Sequence, residues 1–182
     1  MKKNAIGLVF LLAGQVFSQS KSSGPLNVVD SVDLVRYSGT WYEIARLPNR
    51  FQNDCVGDVS ATYSLLPDGD IRVVNRCRKS DDEIIEAQGR ARRASDNEPN
   101  SKLEVRFAPA FLSFLPFVWG DYWIIDLASD YSYAVIGEPN RRFLWILARS
   151  REMDETVFSN ILAGVRNKGY DTAALIRTKH MK

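Results

Sequence analysis

Between Trp41 and Arg149 the chain reads as eight short strands joined by turns, and no other feature limits its fold as tightly. The segments are Trp41 to Leu47, Val56 to Leu65, Ile71 to Cys77, Ile84 to Arg92, Lys102 to Phe107, Asp121 to Ala128, Tyr133 to Gly137 and Phe143 to Arg149. Ile71 and Val73 alternate with Asp70 and Arg72, and Leu103, Val105 and Phe107 with Lys102, Glu104 and Arg106, which gives one apolar and one polar face. Connections this short make neighbouring strands antiparallel. Eight such strands close into an up-and-down barrel, an all-β fold wide enough for one small ligand. Beyond them the period lengthens: Met153, Val157, Ile161 and Val165, with Phe158 and Leu162 beside them, recur at helical spacing up to a cap at Gly169. That helix is predicted to lie outside the barrel, and Leu175 to Thr178 to add a last short strand.

The 182 residues, 45% hydrophobic and 25% charged, suit one domain with one core, placed at residues 32–182. Ahead of it, Lys2 and Lys3, the apolar run Ala5 to Phe17 and the small Ser18 and Ser20 have the pattern of a secretory signal over residues 1–18, followed by a flexible segment, 19–31. The run is short for a membrane span. The formal charge of +2 falls to about zero once Lys2 and Lys3 leave with the signal, so there is no electrostatic case for nucleic acid. Export also permits a disulfide between Cys55 and Cys77. Its register is awkward. An Asp68-Gly69 turn with Leu66 facing Ile71 puts Cys77 opposite Ser60, so bonding requires the chain before Val59 to leave the ladder and fold back through the Pro48 to Asp54 loop.

Three motifs stand in order along the strands. Gly39-Thr40-Trp41-Tyr42-Glu43-Ile44-Ala45-Arg46 resembles the first signature of the lipocalins, Ser129-Asp130-Tyr131-Ser132-Tyr133 the second, and Leu144-Trp145-Ile146-Leu147-Ala148-Arg149 before a helix the third. The resemblance covers roughly Val32 to Lys179 and points toward bacterial outer-membrane-type lipocalins, in the branch similar to apolipoprotein D. Those relatives often carry an acylated cysteine after the signal; here Gln15 follows Leu11-Leu12-Ala13-Gly14, which implies a periplasmic or secreted protein, with outer-membrane association as the rival. Strand counting independently brings Gly39, Trp41, Asp130, Tyr131 and Arg149 to one end, where Arg149 over the Trp41 indole would form a cation–π contact and close it.

Parity points Ala45, Val59, Ala61, Tyr63, Ile71, Val73, Ala87, Gly89, Leu103, Val105 and Phe107 inward. The small Ala61, Ala87 and Gly89 leave room. Strands alone leave a filled core and a cavity equally open, and the resemblance implies the cavity. It also implies non-enzymatic binding, transport or storage of a fatty acid, lysophospholipid or similar lipid, in envelope maintenance. The other reading is a cysteine-dependent lipid-converting lipocalin with Cys55 or Cys77 as nucleophile. The one histidine, His180, lies in the tail, so no Ser-His or Cys-His pair and no zinc set is anticipated, and no metal or cofactor. At the opposite end from the motifs, Ala108 to Gly120 is too apolar for an ordinary loop. Phe111, Phe114, Phe117 and Trp119 read either as packing on the rim or as a ligand portal, a membrane-docking edge or a homodimer surface.

Overall fold

A computed structural model describes residues 24–181; the signal-like segment, its cleavage site and Gln15 lie outside the described residues. Eight antiparallel strands form the barrel: β1 (Gly39–Arg46), β2 (Gly57–Leu65), β3 (Ile71–Arg78), β4 (Ile84–Arg93), β5 (Lys102–Arg106), β6 (Gly120–Leu127), β7 (Tyr133–Gly137) and β8 (Leu144–Ala148). Each pairs with its sequence neighbour, and β1 pairs with both β8 and β2, which closes the sheet. The expected segments are therefore present to within about two residues at their ends.

Helix α2 (Glu155–Asn167) lies outside, begun by Asp154, whose carboxylate accepts from the N–H groups of Thr156 and Val157. It buries Phe158, Ile161 and Val165 against Ile125, Val135, Leu144 and Ile146 on the outer faces of β6 to β8. Each such side chain contributes about 1.5–3 kcal/mol. Val157, expected in the apolar stripe, is exposed instead, because the buried face is centred one residue further on. The segment expected to be flexible is packed where it is described. Leu26 is buried, Val29 donates to the Ile124 carbonyl, and its own carbonyl accepts from Ser101 Oγ, so backbone groups and an apolar side chain both find partners on the wall.

Two irregularities set the upper half of the barrel. In β1 the register with β8 slips between Glu43 and Ala45, a bulge that reverses the facing of the residues beyond it. In β2 the register with β3 slips between Gly57 and Ser60, where Asp58 takes a left-handed φ of 51°. The chain thus leaves the ladder where the disulfide requires it, and Cys55 and Cys77 are bonded with Cα atoms 5.6 Å apart. The turn also differs by one residue from expectation: Leu65, not Leu66, faces Ile71, because Leu66 and Asp70 close the loop with the hydrogen bond from Leu66 N–H to the Asp70 carbonyl. Strand β9 (Ile176–Arg177) pairs with the upper part of β1 beyond the reach of β2. The tail continues into that seam, with Thr178 N–H donating to Ile44, Asp58 N–H donating to Lys179, and His180 Nε2 2.8 Å from the Glu43 carbonyl oxygen.

Candidate functional site

At the lower end of the barrel, helix α1 (Leu34–Tyr37) crosses the opening, capped by Asp33. It is too short to have shown a period in the sequence. Its last residue, Tyr37, is buried, and the Tyr37 carbonyl accepts from the Trp41 indole N–H at 2.8 Å. The Arg149 guanidinium lies 3.8 Å from the centre of the Trp41 ring and donates to the carbonyls of Arg36, Tyr37, Ser38 and Thr40. Gly39 makes this approach possible, with φ of +97° and Arg149 Nη1 3.4 Å from where a Cβ would stand. Tyr131 joins the same end: Arg36 sits over its ring and its hydroxyl accepts from Asp33 N–H, while Asp130 shapes the turn by accepting from Ser132 N–H. Arg149→Ala removes one cation–π contact and leaves four carbonyls without a charged donor. Stability should fall by about 2 kcal/mol in thermal melting, with lipid affinity nearly unchanged, since everything Arg149 touches is at the closed end.

Above this plug the lumen is filled. Tyr37, Tyr63 and Tyr122 converge there, with the Tyr122 hydroxyl 2.8 Å from each of the other two. Burial pushes the Tyr63 phenol up to about 12 and raises Tyr37 and Tyr122 well above the ordinary tyrosine value, so all three stay neutral. Of the residues expected to face inward, Ala61, Tyr63, Ile71, Val73 and Leu103 are buried in this packed part, and Val59 is buried apart from it in the irregular start of β2. Gly89 and Val105 are half-buried, and Ala87 and Phe107 are exposed along the upper wall. Gly89 does not leave free space as its size suggested: the Phe107 ring lies over it, 2.8 Å from a notional Cβ.

Ala45 does not face inward. It belongs to the cluster under α2, because the bulge turns it outward and turns Arg46 in opposite Trp145, beside Glu43, which faces in opposite Leu147 by the same alternation as Trp41. Glu43 and Arg46 acquire a polar nest that sequence parity had hidden. Arg46 Nη1 is 2.8 Å from Glu43 Oε1, Gln52 Nε2 donates to Glu43 Oε2 at 2.6 Å, Trp145 Nε1 donates to Gln52 Oε1 at 2.9 Å, and Thr178 Oγ1 donates to Glu43. Gln52 reaches the nest from the Pro48 to Asp54 loop, so that loop is folded into the mouth. Only the i, i+3 spacing of Glu43 and Arg46 hinted at this pairing, and such spacing has meaning on a helix rather than a strand.

At the mouth, Phe51 stands against Phe143, which in turn stacks on Trp145. On the other side Trp119 folds down the outer wall: Arg92 lies 3.9 Å and Arg106 5.2 Å from its ring centre, and its Nε1 donates to the Ser113 carbonyl. Phe111, Phe114 and Phe117 are left in solvent. A groove of about 770 Å³ lies outside the barrel, between the tail and the start of α2, bordered by Tyr42, Arg149, Arg151, Met153 and His180. Neither cysteine is free, so no thiolate is available in this form of the protein.

With this geometry in place, comparison with known proteins gives one answer. The profile of the Lipocalin-like domain matches residues 32–180. Temperature-induced lipocalin-1 of Arabidopsis thaliana is 39% identical over 154 residues, 84% of this chain and 82% of its own. Outer membrane lipoprotein Blc of Citrobacter freundii is 36% identical over 155 residues, 85% of this chain and 82% of its own. Among solved structures, insecticyanin from the tobacco hornworm Manduca sexta superposes with a TM-score of 0.66 at 18% identity, covering 87% of this chain and 86% of that one, a likeness of fold alone.

Proposed function

The chain belongs to the lipocalin family, and on that footing we propose that it binds a fatty acid, lysophospholipid or similar lipid in the upper half of its barrel and carries or stores it unconverted. The observation that carries this reading is the asymmetry of the lumen. Tyrosines and Trp41 fill its floor, with Val105 packed against them, whereas Ala87 and Phe107 higher on the wall are exposed. An acyl chain laid along that wall gains about 0.8 kcal/mol for each methylene removed from water. The nest around Glu43 and Arg46 leaves the buried Arg46 Nε without a hydrogen-bond partner among the described residues, a donor open to a head group.

The disulfide supports binding over thiol-based conversion, since a bonded sulfur is not a nucleophile. It also suits an oxidising compartment, which agrees with export and with a relative named as an outer membrane lipoprotein. Native mass spectrometry of protein purified without detergent from its own host tests the reading. A non-covalent, lipid-sized adduct released by denaturation is expected. Protein that stays empty after incubation with lysophospholipid or fatty acid, or that accumulates a chemically altered lipid, contradicts it.

A further inference from the structure

The three tyrosines of the lumen floor carry one more hydrogen than their contacts use, and we infer that the Tyr122 hydroxyl is a subsite for a neutral oxygen set deep along the ligand's chain. Given a lipid in the barrel, on which this rests, the preferred ligand is a single-chain lipid with a hydroxyl, ether or ketone oxygen near its inner end. A plain hydrocarbon tail is the poorer fit.

Tyr37, Tyr63 and Tyr122 each have one O–H to donate, and a phenolic oxygen also accepts. Among the described residues their hydroxyls meet only one another, in two contacts, with the Tyr122 oxygen 2.8 Å from each of the others. Two contacts use two hydrogens. The third is left without an acceptor, and a donor held away from water in that state is costly. Burial decides which tyrosine carries it. Tyr37 and Tyr63 are 1% and 5% exposed, whereas Tyr122, which enters from β6 opposite Leu103, is only half-buried. When both neighbours donate to Tyr122, its own hydrogen is free for whatever occupies the open side.

The surroundings select the kind of acceptor. Burial holds the Tyr63 phenol up at about 12 and raises Tyr122 further above its ordinary value, so a charge is disfavoured at that depth. The Arg149 guanidinium is already engaged by the Trp41 ring and four backbone carbonyls of the closed end. A carboxylate inserted head-first would therefore be buried without a counter-ion. Its place is at the other end, where Arg46 Nε has no partner among the described residues. A neutral oxygen requires no counter-ion and accepts the spare hydrogen.

Calorimetric titration of the wild-type protein with ω-hydroxy fatty acids, from decanoic to hexadecanoic acid, against the unsubstituted acids of equal length tests this. At the length that spans the lumen the hydroxy acid should bind about five- to tenfold more tightly. Its ω-methyl ether, which only accepts, should keep the advantage, and the dicarboxylic acid of that length should lack it. Tyr122→Phe should abolish the preference and leave the affinity for the plain acid nearly unchanged. Tyr37→Phe with Tyr63→Phe keeps the Tyr122 hydroxyl and should retain the preference. Hydroxy and plain acids that bind equally at every length overturn the inference while the lipid reading stands. So does a preference that the ether loses, that the dicarboxylic acid shares or that survives in Tyr122→Phe. Binding of neither acid at any length defeats both readings. The first comparison uses wild-type protein alone, so it decides the matter even if Tyr122→Phe fails to fold.

Discussion

Glu43→Gln is expected to destabilise the barrel by about 3–5 kcal/mol, more than any surface substitution, because it strands a buried guanidinium. Glu43 and Arg46 are 2% and 7% exposed, and each gave up its hydration to face the lumen. Glu43 Oε1 is the one carboxylate oxygen on Arg46, while both of its carboxylate oxygens also order Gln52 and Thr178. The loss would therefore reach the mouth loop and the tail that fills the seam between β1 and β2. For a domain of this size the shift in melting temperature should be roughly 10 °C or more, read by circular dichroism. Replacing both partners, Glu43→Leu with Arg46→Met, should recover most of it, since an apolar pair of similar volume leaves no uncompensated charge. A glutamine variant that melts like wild type would show that the pair is hydrated and the nest not closed.

How much of this molecule was legible in its sequence depends on how local each signal is. Alternation is a property of adjacent residues, so the eight strands and the outer helix were visible, and the motif residues fell at one end by counting alone. The bulge at Glu43 and Ala45 was not. Nothing in Glu43-Ile44-Ala45-Arg46 marks an extra residue, because the slip is imposed by pairing with Ile146 and Leu147 a hundred residues away. One unseen bulge moved Ala45 out of the lumen and brought Arg46 in beside Glu43. The same limit applies to Gly89, whose space is taken by Phe107 from the next strand, and to Tyr37, Tyr63 and Tyr122, which meet only when the barrel closes. The Cys55–Cys77 problem shows the reverse. Its awkward register required a departure from the ladder before Val59, and Asp58 provides it. The apolar loop was conspicuous in composition, but that Trp119 would turn down the outer wall while three phenylalanines face water depended on Arg92 and Arg106.

On the proposed reading, the upper lumen above the tyrosine floor holds an acyl chain. Ala87 is the position from which to test it, because the register of β3 and β4 places it on the inner face two residues above Gly89, in the accessible part of the wall. Ala87→Trp fills that space with a ring system where about four methylenes of a bound chain would lie. At about 0.8 kcal/mol per methylene, affinity should fall by roughly a hundredfold. Calorimetric titration of lysophosphatidylcholine below its micellar concentration, into wild type and into Ala87→Trp of matched melting temperature, is the most direct measurement. Saturable wild-type binding with a negative heat-capacity change, lost in the tryptophan variant and kept in Arg149→Ala, is the predicted result. Equal binding by wild type and Ala87→Trp would place the lipid somewhere other than the upper lumen and contradict the proposed function.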